Sequence, residues 1–473
     1  MNILAKMNKY NKAFKPFDIR AIYNEDIDDN FAKNMWYAFG MRCNKQSKTK
    51  LLIANDTRPA NKWLISSFID GLKHATAADI TYADLPAQDP NSISLPYGAC
   101  STSLAYYLVQ QWFDYAVIFT ASHNPKEYVG LKIVDNSADF VPSDTLRAMY
   151  ETYLYQDAET YPITIHTAAD IKDIIKDNET RYMQAASQIQ KKYTAVIDFS
   201  NGSGCTREYD LIQKIKHQGI WDVICINTAA DGNFPGHESD TSNPECYKQL
   251  IHEVHQHQAD IGIMFDGDLD RIGVVDNTGT IVPWDMIGCL LVKKYVSTHK
   301  NETVYMDVLC SGDLYDTVIK YGGKPVITKT GRALMTPALK ADQALLGIEF
   351  SGHIMYKSSG YVEQPLMVAI DILQVLDQDG QSLNAVCLDF QQWYLKPLLS
   401  IKVGNPDQCI AIIESFYQNY NIQHIDGLNI YSDDLRLTVR KSNTEPKIRI
   451  ALETRDQSSR QTHMDRILQS IQI

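Results

Sequence analysis

Short runs of apolar, β-branched residues alternate along this chain with longer stretches whose apolar positions recur every three or four residues. Residues 50–54, 115–119, 194–198, 260–264, 303–308 and 325–328 read as buried strands. Residues 62–75, 245–258, 285–297, 313–321 and 366–377 read as helices. This alternation predicts βαβ units, and so an α/β fold with largely parallel or mixed sheets. From Lys396 onward the pattern changes. Leu435, Leu437 and Val439 alternate with polar residues, and Ile448, Ile450 and Leu452 do the same, which predicts two half-buried strands joined by a loop at 441–447. Met464, Ile467, Leu468 and Ile471 then fall on one face of a helix. The C-terminal part therefore reads as a separate α+β domain. No Pro/Gly/Ser linker, low-complexity segment or short-period repeat interrupts the chain.

Length and charge narrow the class. At roughly 150 residues per domain, 473 residues predict about three domains. The chain carries 45 Lys and Arg against 57 Asp and Glu, a net charge of −12. That balance argues against a nucleic-acid or membrane-surface partner, because both favour a basic face. An anionic substrate would need a locally basic pocket. The nine cysteines are scattered without a CxxC, so neither a disulfide framework nor a structural zinc site is expected, and a cytoplasmic protein is. No signal-peptide core opens the sequence, and no apolar run approaches the ~20 residues of a membrane helix.

Four stretches carry chemistry. Thr120-Ala-Ser-His-Asn-Pro125 follows the strand at 115–119 and presents a hydroxyl, an imidazole and an amide together. It is either a turn rich in hydrogen-bonding residues or the site of a nucleophile, Ser122. Phe265-Asp-Gly-Asp-Leu-Asp-Arg271 also follows a strand. Three carboxylates this close are costly to hold without a cation, and all-oxygen ligands suit Mg²⁺ or Ca²⁺. An EF-hand would need Gly sixth and Glu twelfth, where this chain has Arg271 and Asn277. A solvated acidic loop is the alternative. Glu349, Ser351 and His353 alternate, so an extended chain would aim all three one way, suited to sugar hydroxyls; a plain turn is the alternative. Arg440-Lys-Ser-Asn-Thr-Glu-Pro-Lys447 combines hydroxyls, an amide and cations. Such a loop can hold a phosphate by charge-assisted hydrogen bonds, or be a solvated hairpin tip. Lys132 lies ten residues past Ser122, with Gly130 between, and could return to the same pocket. Arg20, Lys329 and Arg332 are further cations near these stretches. His252, His255 and His257 read as a solvated helix face, and Gly202-Ser-Gly204 as a tight turn.

In this order and spacing, the four stretches resemble the α-D-phosphohexomutase family, with phosphomannomutase/phosphoglucomutase as the nearest branch. The resemblance runs from Phe14-Lys-Pro-Phe-Asp-Ile-Arg20 to the loop at 440–449, and includes Asp56-Thr-Arg58 and Asp231-Gly-Asn-Phe-Pro235. It implies three α/β domains with mixed sheets and a fourth α+β domain around a central cleft, expected at 1–157, 158–282, 283–395 and 396–473. It implies that Ser122 is a phosphoserine, shaped by His123 and Asn124. Asp266, Asp268, Asp270 and a phosphoserine oxygen would bind Mg²⁺. Lys132 would be the general acid/base, supported by Arg20 and Arg271. Lys329, Arg332, Glu349, Ser351 and His353 would meet the sugar, with Glu349 and Ser351 on its 3- and 4-hydroxyls. Arg440, Ser442, Asn443 and Thr444 would hold the distal phosphate. The implied reaction interconverts hexose 1-phosphate and hexose 6-phosphate of mannose or glucose, primed by glucose or mannose 1,6-bisphosphate. The partner would be a small phosphosugar, with no nucleic acid or membrane, and the protein a monomer or homodimer.

The chain departs from the family pattern at Ala21, Arg332, Phe350 and Glu363-Gln-Pro365. These departures bear on the sugar, not on the nucleophile or metal motifs. Phosphoglucosamine mutase shares the Ser-His-Asn-Pro core and is the alternative within the class. A non-catalytic sugar-phosphate-binding homologue and a Mg²⁺ phosphohydrolase are the alternatives outside it.

Overall fold

The computed structural model describes residues 10–43, 48–82, 99–153, 160–395, 398–442 and 446–471. The chain forms two compact units, Met1–Ile281 with Val362–Leu383, and Val282–Tyr361 with Asn384–Ile473.

The first unit opens with β1 (Ile19–Ile22), α1 (Asp29–Arg42), β2 (Thr49–Asn55), α2 (Asn61–Leu72), β3 (Ala78–Tyr82), α3 (Thr102–Trp112), β4 (Tyr115–Phe119), β5 (Tyr128–Asp135), α4 (Ser143–Thr152) and β6 (Ile163–His166). The sheet order is β1-β5-β4-β2-β3-β6. The strands β4, β2, β3 and β6 run parallel, and β5 and β1 close the edge antiparallel. Ile53, Val117 and Phe119 face Trp36 and Phe39 of α1 and Phe68 of α2, whereas Leu52, Ala54 and Ile118 face Leu104 and Leu108 of α3. Both faces are covered, which is why these strands read as continuous apolar runs. β6 lies beyond the expected boundary at 157, because its register with β3 extends the first sheet.

Next come α5 (Lys172–Ala186), β7 (Tyr193–Asp198), α6 (Arg207–His217), β8 (Trp221–Ile226), α7 (Lys248–His257), β9 (Ile261–Phe265) and β10 (Ile272–Asp276). Their sheet order is β10-β9-β7-β8, parallel except for the β9–β10 hairpin. The hairpin connection is the three-aspartate stretch. His252, His255 and His257 lie on the exposed face of α7 as expected. The chain leaves this unit through β11 (Ile281–Val282).

The second unit begins with α8 (Trp284–Val296), β12 (Thr303–Asp307), α9 (Gly312–Lys320), β13 (Lys324–Thr328), α10 (Arg332–Ala341), β14 (Leu346–Ile348) and β15 (Ile354–Tyr356). β13, β12 and β14 run parallel, and β15 is antiparallel to β14. The chain then returns to the first unit for β16 (Val362–Glu363) and α11 (Pro365–Asp379). α11 is buried almost all round, and Gln374 Nε2 donates to the Ala185 carbonyl at the end of α5 (2.7 Å). That packing groups α11 with the first unit, although it falls within the expected third domain at 283–395.

After α12 (Leu383–Leu388) come β17 (Tyr394–Leu395), β18 (Leu399–Lys402), α13 (Pro406–Ser415), β19 (Asn421–Gln423), β20 (Leu428–Tyr431), β21 (Leu435–Lys441), β22 (Lys447–Thr454) and α14 (Gln457–Ile471). The sheet is wholly antiparallel, β17-β22-β21-β20-β19, with β18 also on β22. β21 is not half-buried as its alternation predicts, since Arg436 and Thr438 are buried too. Thr438 donates to the Val308 carbonyl (3.0 Å), and the Arg436 guanidinium lies over the Tyr315 and Tyr431 rings. The polar face of the strand is thus covered within the same unit. The expected boundary at Lys396 falls outside the described residues. Among the described residues no helix is long and apolar enough to cross a membrane.

Candidate active site

Ser122 sits in the turn after β4 with φ of 54°, a left-handed conformation that costs a non-glycine residue free energy and needs support. The support is Arg58, fully buried. Its Nη2 donates to the carbonyls of Ser122 (2.9 Å) and Asn124 (2.6 Å), and its Nη1 to those of Pro125 (2.7 Å) and Tyr128 (3.2 Å). Its Nε is paired with Asp56 Oδ2 at 3.0 Å, and the same carboxylate accepts from the Ala121 N–H (3.3 Å). A guanidinium with fixed forks suits this cluster of carbonyls. The Thr120 hydroxyl accepts from the Ser122 N–H (2.8 Å). The Ser122 hydroxyl is buried, 3.3 Å from His123 Nδ1 and 3.3 Å from Asp266 Oδ2.

Asp266, Asp268 and Asp270 are all buried, with carboxylate oxygens within 4.8 Å of one another. A solvated acidic loop is therefore ruled out. Asp266 Oδ1 accepts from the N–H groups of Asp270 (3.0 Å) and Arg271 (3.1 Å). Burial, then repulsion from Asp270 and Asp268, pushes Asp266 well above the usual carboxylate range. Lys132 Nζ lies 2.7 Å from Asp268 Oδ2 and 2.5 Å from Asp270 Oδ2. Burial would lower its pKa, but Asp268 and Asp270 outweigh burial and hold it well above the lysine range, as an ammonium. Arg20 joins the same locality. Its Nη1 donates to Asn124 Oδ1 (3.3 Å), and its Nε is paired with Asp18 (2.8 Å). Arg271 Nε is 3.7 Å from Asp270 Oδ1.

The residues present fit a hard cation. The donor set is all oxygen, which suits Mg²⁺ or Ca²⁺. Asp268 Oδ1 is buried, and no protein donor among the described residues reaches it. A buried charged oxygen left without a donor is costly; a metal ion would satisfy it.

The turn at Gly202-Ser-Gly204 does more than its sequence says. Ser203 donates from its N–H (2.9 Å) and its hydroxyl (3.0 Å) to the Gly267 carbonyl, and Ser200 Oγ donates to that of Phe265 (2.6 Å). Gly267 has no room for a side chain: a Cβ there would lie 2.7 Å from Ser239 Oγ and 2.9 Å from the Ser122 carbonyl. The aspartate loop and the serine loop meet backbone to backbone.

In the second unit, the 349–353 stretch is not extended. It is the turn of the β14–β15 hairpin, with the Glu349 N–H donating to the His353 carbonyl (2.9 Å) and Gly352 at φ of 91°. Glu349 and Ser351 do come together: Ser351 Oγ donates to Glu349 Oε2 (3.1 Å), while the Gly331 N–H donates to Oε1 (3.2 Å). Asp307 Oδ2 accepts from the Phe350 N–H (3.1 Å); burial and then Glu349 raise its carboxyl to about 7. Lys329 is exposed and Arg332 buried. Arg440 is paired with Asp426 (2.8 Å) and donates to Thr330 Oγ1 (3.2 Å). The Ser442 N–H donates to the Lys447 carbonyl (2.9 Å). Asn443 and Thr444 lie outside the described residues.

The family models for phosphoglucomutase/phosphomannomutase match this chain through alpha/beta/alpha domains I, II and III at residues 11–160, 175–279 and 284–394, and through the C-terminal domain at 398–470. The chain belongs to the phosphoglucomutase/phosphomannomutase family. A phosphomannomutase of Methanocaldococcus jannaschii is 29% identical over 456 residues, covering 96% of each chain. A phosphomannomutase/phosphoglucomutase of Pseudomonas putida is 28% identical over 450 residues, 93% of this chain and 91% of the relative. The crystal structure of a phosphoglucomutase/phosphomannomutase family protein from Burkholderia thailandensis has the same fold, with a TM-score of 0.80 at 23% identity over 97% of this chain and 96% of that one.

Ala21, Phe350, Gln364 and Pro365, which depart from the family pattern, each have a local setting. Ala21 is buried in β1 opposite Val129. The Phe350 ring meets Trp284 edge-on at 6.2 Å. Pro365 opens α11, where its missing N–H costs nothing. Gln364, just before it, accepts from the Tyr182 hydroxyl.

Proposed function

We propose that this mutase interconverts hexose 1-phosphate and hexose 6-phosphate, of mannose and glucose, through phosphoserine at Ser122 and a bisphosphosugar. The observation that carries the reading is the buried Ser122 hydroxyl beside Asp266, within a cluster that also holds Asp268, Asp270 and Lys132. Phosphoryl transfer asks mainly for positioning and for charge neutralisation. Asp266, Asp268, Asp270 and a phosphoserine oxygen would hold Mg²⁺, which when bound supplies positive charge to the moving group. Arg58 and Asp56 fix the serine loop. In the first half-reaction the bond from Ser122 Oγ to phosphorus breaks as the bond to the sugar oxygen forms. Lys132, held as an ammonium, gives its proton to the departing Ser122 oxygen and takes up the proton that the sugar hydroxyl releases, so the lysine ends the step as it began. Arg20 and Arg271 add positive charge beside the serine loop. The second half-reaction reverses these steps with the other phosphate of the sugar.

The second unit carries the recognition groups. Glu349, Ser351 and His353, with Lys329 and Arg332, serve the sugar hydroxyls; Arg440, Ser442, Asn443 and Thr444 serve the phosphate that is not being transferred. Glucose or mannose 1,6-bisphosphate primes the enzyme by phosphorylating Ser122.

The test is a coupled assay for glucose 6-phosphate formed from glucose 1-phosphate, with and without glucose 1,6-bisphosphate and with and without EDTA. The expected result is turnover that the primer stimulates and EDTA abolishes. Release of inorganic phosphate would instead show a hydrolase, and absence of turnover on glucose and mannose phosphates would remove the assignment.

A further inference from the structure

The start of α3 is tied to the metal loop by contacts that no sequence motif announces. Ser101 caps the helix by accepting from the Leu104 N–H (3.1 Å), and its hydroxyl also donates to Glu208. The next residue, Thr102, is fully buried. Its N–H donates to the Asp268 carbonyl (2.8 Å) and its hydroxyl to Asp268 Oδ2 (2.6 Å). Ser103 donates to the Leu269 carbonyl. These residues stand 166 positions from their acceptors.

The consequence lies in how the two oxygens of Asp268 are used. Oδ2 accepts from both the Thr102 hydroxyl and the Lys132 ammonium, whereas Oδ1 is buried and meets no protein donor among the described residues. An unconstrained carboxylate can offer a cation one oxygen or both. This one is already engaged on one side. Lys132 divides its charge between Asp268 and Asp270, so it is not committed to Asp268 alone. Thr102 is β-branched and anchored by its own N–H, so its hydroxyl has little freedom.

We propose that Thr102 is a positioning residue that holds Asp268 as a one-oxygen ligand and thereby biases the aspartate triad towards Mg²⁺ over Ca²⁺. Ca²⁺ accepts bidentate carboxylates in large, flexible shells, whereas Mg²⁺ demands a small, near-octahedral one. Removing the Thr102 hydroxyl leaves Oδ2 with one donor in place of two and makes the bidentate mode easier to reach, which favours the larger ion. The inference rests on the reading of the triad as a divalent-cation site.

The full chain, stripped of metal, is titrated with Mn²⁺ by electron paramagnetic resonance, and bound Mn²⁺ is displaced by Mg²⁺ or Ca²⁺. For Thr102→Val the preference for Mg²⁺ over Ca²⁺ is expected to narrow by about tenfold, the scale of one hydrogen bond to a charged group. Thr102→Ser, which keeps the hydroxyl, is expected to retain the preference. Should the valine variant be insoluble, Thr102→Ala is read in its place. An unchanged preference, or an equal weakening of both ions, overturns the inference while leaving the metal site intact. A wild-type chain that binds no Mn²⁺ overturns the metal reading itself, and the inference with it.

Discussion

The Ser122 hydroxyl lies 3.3 Å from Asp266 Oδ2, although 144 positions separate the two residues. Two loops that each follow a buried strand are thereby made into one site. Placing a phosphate on Ser122 would add about −1.5 to −2 charges beside a carboxyl that burial, Asp270 and Asp268 already press towards its neutral form. The phosphorylated state therefore depends on the cations around it.

Ser122→Ala is expected to remove turnover together with the phosphoryl group. Intact-mass analysis should show one phosphate on the wild type and none on the variant. A fully active Ser122→Ala protein would end the phosphoserine mechanism.

Arg58→Met is expected to destabilise the protein by about 3–5 kcal/mol, the cost of breaking one side of a buried ion pair. The substitution leaves Asp56 buried without its charged partner and takes the guanidinium donor away from four carbonyls of the serine loop. Thermal unfolding measures the loss. A stability within about 0.5 kcal/mol of wild type, ordinary for a surface substitution, would show that the loop holds its shape unaided.

What the sequence disclosed and what it hid divide along physical lines. The strands at 50–54 and 115–119 are Thr49–Asn55 and Tyr115–Phe119 in the structure, because a sheet covered on both faces leaves an unbroken apolar signal. The aspartate triad was legible because three carboxylates at alternate positions need a reason to be there. Arg58 was visible only as part of a family stretch, since its role depends on backbone carbonyls that any sequence possesses. Thr102 reads as a polar residue at a helix start, and nothing local shows that it faces Asp268. At 349–353 the alternation left an extended run and a plain turn both open, and Gly352 at φ of 91° makes it a turn.

The second unit is expected to lose stability as pH rises from about 5 to 8. Burial raises Asp313 and Asp307 to about 7, and burial, opposed by Arg436, leaves Glu453 at about 8. Their ordinary values are 3.8 and 4.5, so within this window the folded chain binds more protons than the unfolded one. Stability carried by a raised pKa is complete below the unfolded value and is lost as pH climbs through the folded one. One such group contributes a slope of at most about 1.4 kcal/mol per pH unit. Glu453→Gln keeps an acceptor for the Gly312 N–H (2.7 Å in the wild type) while removing the proton equilibrium. Its melting temperature should fall less steeply between pH 5 and 8 than that of the wild type; parallel curves would show that Glu453 ionises freely in the folded state.

The sugar is the last question. Glucose and mannose differ only at the 2-hydroxyl. On the proposed function the loop that holds Glu349 and Ser351 serves the 3- and 4-hydroxyls, which the two sugars share, and the Gly331 N–H and the Ser351 hydroxyl already fix the Glu349 carboxylate. A bisphosphate that must react at either end presents its 2-hydroxyl from two opposed orientations, so a tight contact to it would have to be built twice. A site that hydrogen-bonds a hydroxyl rejects its absence by about 10⁴–10⁵, whereas weak discrimination amounts to about 1–3 kcal/mol. Mannose 1-phosphate and glucose 1-phosphate are therefore expected to turn over with kcat/KM values within about a hundredfold of each other. Phe350, packed on Trp284, and the buried Arg332 are the positions where selection could still enter. Specificity constants differing by about 10⁴ would show that the 2-hydroxyl is read after all.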